Sequence, residues 1–290
     1  MEWETNIFAQ NNSRMETVYL AELEKEYSEF IETGKIRLIE DVKRLTTKNF
    51  SYSSPLYYLG NIRSRLAIIT FNSKKDYLCK GNPPIDFESY QNKSKSLGEI
   101  FLESENEAEF NSIYSSDIRL LNYLKPFNLI RFDHNSISKN LHKLTNEKLE
   151  LGLVPFNSPD FSEKDFMSNH VVCKPFTERV LNGIIAYPRQ YIVFIGSCFN
   201  NILDEYIEES ESFRFLVTSL NSPNQKFIAH FTRVTLNYKD RRVIAGIAES
   251  FCDENLDSVL LEKYGQESVA TINRGFILSN PLWKSSKSTN

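Results

Sequence analysis

Residues 55–77 read PLYYLGNIRSRLAIITFNSKKDY, and this stretch decides the fold. At its centre stands an unbroken apolar run, Leu66-Ala67-Ile68-Ile69-Thr70. A short run without alternation predicts a strand buried on both faces, as in parallel sheets. The run stops abruptly in Phe71-Asn72-Ser73-Lys74-Lys75-Asp76. A buried strand that delivers a polar cluster at its carboxyl end is how an open α/β sheet builds a site.

Three later stretches repeat the pattern. Residues 149–154 (LELGLV) lead into Pro155-Phe156-Asn157-Ser158-Pro159-Asp160. Tyr191-Ile192-Val193-Phe194-Ile195 ends in Gly196-Ser197, and Val243-Ile244-Ala245-Gly246-Ile247 ends in Ala248-Glu249-Ser250-Phe251. Helical spacing or composition predicts helices over residues 105–124, 137–146, 176–185, 200–209 and 257–264. Residues 213–220 and 227–236 predict a hairpin joined by Asn221-Ser222-Pro223-Asn224, followed by a basic turn, Lys239-Asp240-Arg241-Arg242. Alternating strands and helices imply a three-layer α/β sandwich around a central, mostly parallel sheet. Right-handed crossovers would then gather the four polar endings on one rim.

Upstream, Ser13-Arg14-Met15-Glu16 fits a capping box that opens a helix bearing Met15, Tyr19, Leu23, Tyr27, Phe30 and Ile31, with Gly34 as its stop. A second short helix is expected over residues 36–45. The predicted organisation is an N-terminal helical extension (1–54), an α/β domain (55–283) and a disordered Ser/Lys-rich tail (284–290).

Composition narrows the function classes. With 41% hydrophobic and 25% charged residues, the chain is an ordinary globular protein, and 21 Phe and 14 Tyr can fill a core and still line a binding face. A net charge of −4 argues against a wholly basic nucleic-acid binder, while a local basic face remains compatible with it. Cys79, Cys173, Cys198 and Cys252 show no CxxC spacing and predict reduced thiols in a cytoplasmic protein. The start, MEWETNIFAQNNS, is too polar for a signal peptide, and no apolar run approaches the roughly 20 residues of a membrane span. His134, His142, His170 and His230 lack metal spacing, so neither a metal nor a cofactor is expected.

The chain lacks GxGxxG after a strand, GxxxxGKS and GxSxG. What remains on the rim is an amide, carboxylates, hydroxyls and aromatic rings. This set suits attack of water on a carbon whose leaving group is departing, with N-glycosidic hydrolysis the leading example. A Schiff base on Lys74 or Lys75 is the alternative chemistry, and the same pair also fits a solvated, phosphate-facing turn.

The order GN-x6-IITFN-S, LGLVPFNS, YIVFIGSCF and VIAGIAES resembles the uracil-DNA glycosylase superfamily. The resemblance covers roughly residues 55–264 and rests on order and spacing. It implies a monomeric DNA glycosylase acting on a base flipped out of double-stranded DNA. Asn72 would take the water-handling position and Glu249 would act at the base. Tyr77, Phe156, Asn157, Ser158 and Ser197 would stack on or read the base. Ser250, Lys74, Lys75, Arg241 and Arg242 would hold phosphates. Ser73 stands where the family has Pro, and Ala248-Glu249 stand where it has His-Pro. Those departures imply a modified base, such as a modified cytosine of phage DNA, whose exocyclic amino group a carboxylate can accept. A nucleotide- or nucleoside-handling enzyme on the same sheet, or an inactive DNA-binding module, are the rival readings.

Overall fold

A computed structural model describes residues 2–43, 55–72, 83–103, 107–133, 135–155, 161–218, 226–250 and 257–279. Seven strands build one sheet: β1 (Tyr58–Gly60), β2 (Leu66–Asn72), β3 (Lys148–Val154), β4 (Tyr191–Ile195), β5 (Ile207–Thr218), β6 (Lys226–Tyr238) and β7 (Arg241–Ala248). Their spatial order is β1-β3-β2-β4-β7-β6-β5. The inner four, β3-β2-β4-β7, are parallel throughout. The flanking strand β1 on one side and the β6–β5 pair on the other run antiparallel.

The apolar runs explain the inner four strands. Alternation along β2 sends Ala67 and Ile69 into one core and Leu66 and Ile68 into the other. The first core is closed by α1 (Glu2–Thr33), α2 (Arg37–Lys43), α3 (Phe87–Ser96), α7 (Glu163–Ser168), α8 (His170–Ile185) and α9 (Phe199–Ile202). The second is closed by α4 (Glu107–Ile113), α5 (Ser115–Leu124), α6 (Ile137–Glu147) and α10 (Ser258–Ser279). The result is a mixed α/β fold with helices on both faces of the sheet. Among the described residues, no helix is long and apolar enough to cross a membrane.

Local chemistry sets several element ends. Helix α1 starts well before Ser13, which lies inside it and is not its cap; neither Gly nor Pro interrupts residues 2–33. Its stripe of Tyr19, Leu23, Tyr27 and Phe30 is buried against the sheet layer, and the Tyr27 hydroxyl donates to the Pro84 carbonyl at 2.7 Å. Gly34 ends the helix in the left-handed region at φ +67°, with its N–H on the Phe30 carbonyl at 2.7 Å. Ser162 and Asp165 form a reciprocal capping box on α7.

Two expectations fail around the hairpin. In place of a helix over residues 200–209, the chain makes the single turn α9, a short 3-10 turn (Asp204–Tyr206), and then β5 from Ile207. Glu208, Glu209 and Glu211 favour a helix by propensity, but eleven residue pairs with β6 outweigh it. The basic turn is also shorter than expected. Only Lys239 (φ 49°) and Asp240 (φ 59°) form it, while Arg241 and Arg242 already belong to β7.

Gly246 shows how closely the inner strands and β6 are packed. A Cβ there would sit 2.1 Å from the Phe231 ring. At the start of β3, Lys148 and Glu150 form an ion pair with both side chains buried. They lie two residues apart and therefore on one face of the strand.

Candidate functional site

Because β3, β2, β4 and β7 are adjacent and parallel, their carboxyl ends share one rim. From β2 the chain passes outward to β3, then crosses back to β4 on the other side. The strand order therefore reverses between β2 and β4, the switch point at which open α/β sheets open a crevice. Thr70, Ile195 and Ala248 stand in one row across β2, β4 and β7, about 4.8 Å apart from strand to strand.

Asn72 closes β2, paired with Val154 of β3, and its Oδ1 is shielded from solvent. It flanks the switch point. Thr70 lies two residues below it on the same face of β2. Thr70 Oγ1 is enclosed and has no hydrogen-bond partner among the described residues. An enclosed hydroxyl left in that state costs about 1–3 kcal/mol, so it marks a place where a polar group is accommodated. In the sequence Thr70 is inconspicuous because it closes an apolar run.

Ser197 follows Gly196 across the switch point. Gly196 takes φ +127°, a conformation that side-chain-bearing residues rarely adopt, and its N–H stays on the Ala248 carbonyl at 2.8 Å. This turn carries the chain over the rim and leaves Ser197 exposed. The Ser197 hydroxyl does not cap α9; its carbonyl instead accepts from the Asn200 N–H and side chain, each at 3.1 Å.

Glu249 sits just past β7, half-buried, in a clamp of three elements. Its N–H donates to Tyr264 Oη on α10 at 2.9 Å, and its Oε2 accepts from the His230 N–H on β6 at 3.2 Å. Tyr264 Oη donates in turn to the His230 carbonyl. Burial, reinforced by Tyr123 nearby, holds the Tyr264 hydroxyl well above the usual phenol range, so it stays a donor. The clamp uses one carboxylate oxygen. Oε1 has no hydrogen-bond partner among the described residues. His230 is a second residue that spacing alone does not single out. It lies on an antiparallel strand, and only the register with β7 shows that it reaches the rim. Ser250 follows Glu249 and is exposed.

Arg241 and Arg242, expected as phosphate contacts, lie away from this rim. They begin β7, six or seven residues before Ala248, about 20 Å from the rim. Arg242 bonds Glu208 at 2.7 Å and Glu209 at 3.3 Å. They help to line a cleft of about 340 Å³ at the amino ends of β4 and β7, together with Tyr187, Arg189 and Gln190. Tyr77, Lys74, Lys75, Phe156, Asn157 and Ser158 lie outside the described residues, as do Cys79, Cys252, His134 and the tail. His142 faces Glu99, and His170 faces Glu205. Among the described residues no cluster of three or more His, Cys, Asp or Glu could hold a metal ion.

The described rim therefore brings together Asn72, Thr70, Ser197, Glu249, Ser250 and His230. It offers an amide at a switch point, an enclosed hydroxyl and a carboxylate oxygen. Compared with protein-family models and with curated proteins, the chain gives no match.

Proposed function

We propose that the protein is a DNA glycosylase of the uracil-DNA glycosylase type, acting on a base extruded from double-stranded DNA. One observation carries the reading: Asn72 ends the parallel strand that borders the switch point, with the Thr70 hydroxyl beneath it on the same face. An amide there can orient a water toward C1′ of a bound deoxyribose. As the C1′–N bond breaks, the water oxygen bonds to C1′, one of its protons is released to the base or solvent, and an abasic sugar and a free base remain. No strong nucleophile is needed.

The Glu249 carboxylate is held by the His230 N–H, which fixes its direction before any substrate arrives. Oε1 can then accept from an exocyclic amino group, which cytosine has and uracil lacks. This favours a modified cytosine, as in phage DNA, over plain uracil. Tyr77, Phe156, Asn157, Ser158 and Ser197 remain the proposed base-binding residues, and Ser250, Lys74 and Lys75 the proposed phosphate contacts.

The test is incubation with duplexes carrying uracil, hypoxanthine, or hydroxymethylated or glucosylated cytosine, followed by alkaline cleavage at abasic sites. Strand breaks are expected at a modified cytosine. They should disappear in Asn72→Ala while duplex affinity stays within about threefold. Unchanged cleavage by Asn72→Ala refutes the assignment. Release from free nucleosides but not from DNA identifies a nucleoside-handling enzyme instead.

A further inference from the structure

The β5–β6 hairpin does not end where the parallel sheet ends. The last pair between β6 and β7 is Phe231 with Ala248. Beyond it, five further pairs continue between β5 and β6, from Arg214 with His230 out to Thr218 with Lys226. At about 3.4 Å per residue, this arm stands roughly 17 Å above the rim, beside Glu249.

The two faces of the arm differ. One carries Phe213, Phe215, Val217, Phe227 and Phe231 and is braced by α10. The Phe227 ring lies 6.4 Å from that of Tyr264, and the Arg274 guanidinium lies 6.0 Å from the Phe213 ring. The other face is open. Just below the rim it presents Ser212 with Thr232, and beyond it Arg214 with His230 and Leu216 with Ile228. Leu216 is 63% exposed and Ile228 56%, an apolar cross-strand pair in water on a supported arm.

Charge indicates what this face meets. Across the arm and its connection, residues 214 to 230, the sequence contains Arg214 and Lys226 and no Asp or Glu. The whole chain has 38 acidic against 34 basic residues. An acid-free segment in an acidic protein, raised beside the candidate site, suits a polyanion. We propose that the open face of the β5–β6 arm is a DNA-contact surface: Arg214 engages a backbone phosphate, and the Leu216–Ile228 pair packs on the sugars beside it. This deepens the glycosylase reading and rests on it. Phosphate contacts fix register on the duplex and make affinity fall with salt, while the apolar contact adds a salt-independent part.

The experiment is fluorescence anisotropy with a labelled duplex of mixed sequence, over a salt series, using the full chain and its variants. Arg214→Ala should lower the slope of log affinity against log salt by about one unit. Leu216→Ser/Ile228→Ser should weaken binding about tenfold at every salt concentration and leave the slope unchanged. Arg65→Ala changes an exposed cation at the far end of the sheet and should leave both unaltered. Thermal melting verifies that each variant is folded. Wild-type affinity and slope in both arm variants, an equal fall in Arg65→Ala, or no duplex binding by the wild type overturns the proposal. The cleavage assay is separate. DNA binding that depends on the arm, without base release, overturns the glycosylase reading and keeps the contact surface; base release with normal binding by the arm variants does the reverse.

Discussion

Replacing Tyr264 by Phe deletes one oxygen at the meeting point of β6, β7 and α10. The ring stays, so no cavity opens, and the change isolates the hydroxyl. That hydroxyl accepts from the Glu249 N–H at 2.9 Å and donates to the His230 carbonyl. Each net hydrogen bond contributes about 0.5–1.5 kcal/mol, so the pair contributes about 1–3 kcal/mol. Both backbone partners are part-buried, and water can recover some of the loss, which places the expected cost near 2 kcal/mol. For a chain of this size that is a fall of roughly 3–4 °C in melting temperature. Urea unfolding followed by circular dichroism should show an earlier midpoint at constant slope. Amide exchange at Glu249 and His230 should accelerate relative to Val193 and Ile192 in the inner strand. Loss of the clamp also frees the Glu249 carboxylate, so base release should decline further than stability at the assay temperature explains. Stability within about 0.5 kcal/mol of wild type, with unchanged exchange at both amides, would refute the clamp.

Other outcomes follow from the same packing. Gly246→Ala should destabilise by about 1–3 kcal/mol because its Cβ meets the Phe231 ring, and Phe231→Leu in the same chain should recover part of that loss in a double-mutant cycle. Glu150→Gln should cost about 3–5 kcal/mol by leaving the buried Lys148 ammonium without its carboxylate, while Lys148→Met/Glu150→Leu should cost far less, as judged by urea midpoints. Burial raises the Tyr264 hydroxyl, so folding favours its neutral form. The stabilisation is complete below the ordinary phenol range near pH 10 and is lost as pH rises above it, and Tyr264→Phe should show a shallower alkaline loss of stability. Burial pushes the Cys173 and Cys198 thiols up to about 12, so peptide mapping should find both resistant to iodoacetamide at pH 8 until the protein is unfolded.

The inner sheet was legible because its strands are buried on both faces and therefore read as apolar runs. The predicted span of β4 agrees with the structure at both ends, and the ends of β2, β3 and β7 differ by at most two residues. The shared rim followed from that. What alternation and propensity could not reveal was pairing. Residues 207–209 read as helix because Glu is a good helix former, yet their partners on β6 lie more than 25 residues away. Their charges instead suit an edge strand, where they discourage pairing with another chain. His230 and the clamp on Glu249 escaped for the same reason, since each depends on which strands become neighbours. Arg241 and Arg242 belong to β7 because the turn is two residues shorter than the basic run suggested. Thr70 went unnoticed because a hydroxyl at the end of an apolar strand reads as part of the strand.

The two-residue turn at Lys239-Asp240 has a consequence for the order of assembly. It joins β6 to β7 through contacts that are nearly local in the chain, and hairpins of this kind close in about 1–10 μs. The pairing of β2 with β3 spans 82 residues, from Leu66 to Lys148, and β4 must wait for a partner some 53 residues downstream. Ladders between distant segments are slow because the intervening loop has to close first. The β6–β7 pairing can therefore form early, and its docking onto β4 is what brings Glu249 beside the switch point. A chain truncated before Arg241 retains β2, β3 and β4 but lacks the fourth parallel strand, so the candidate site is completed only when the carboxyl-terminal third of the protein is present.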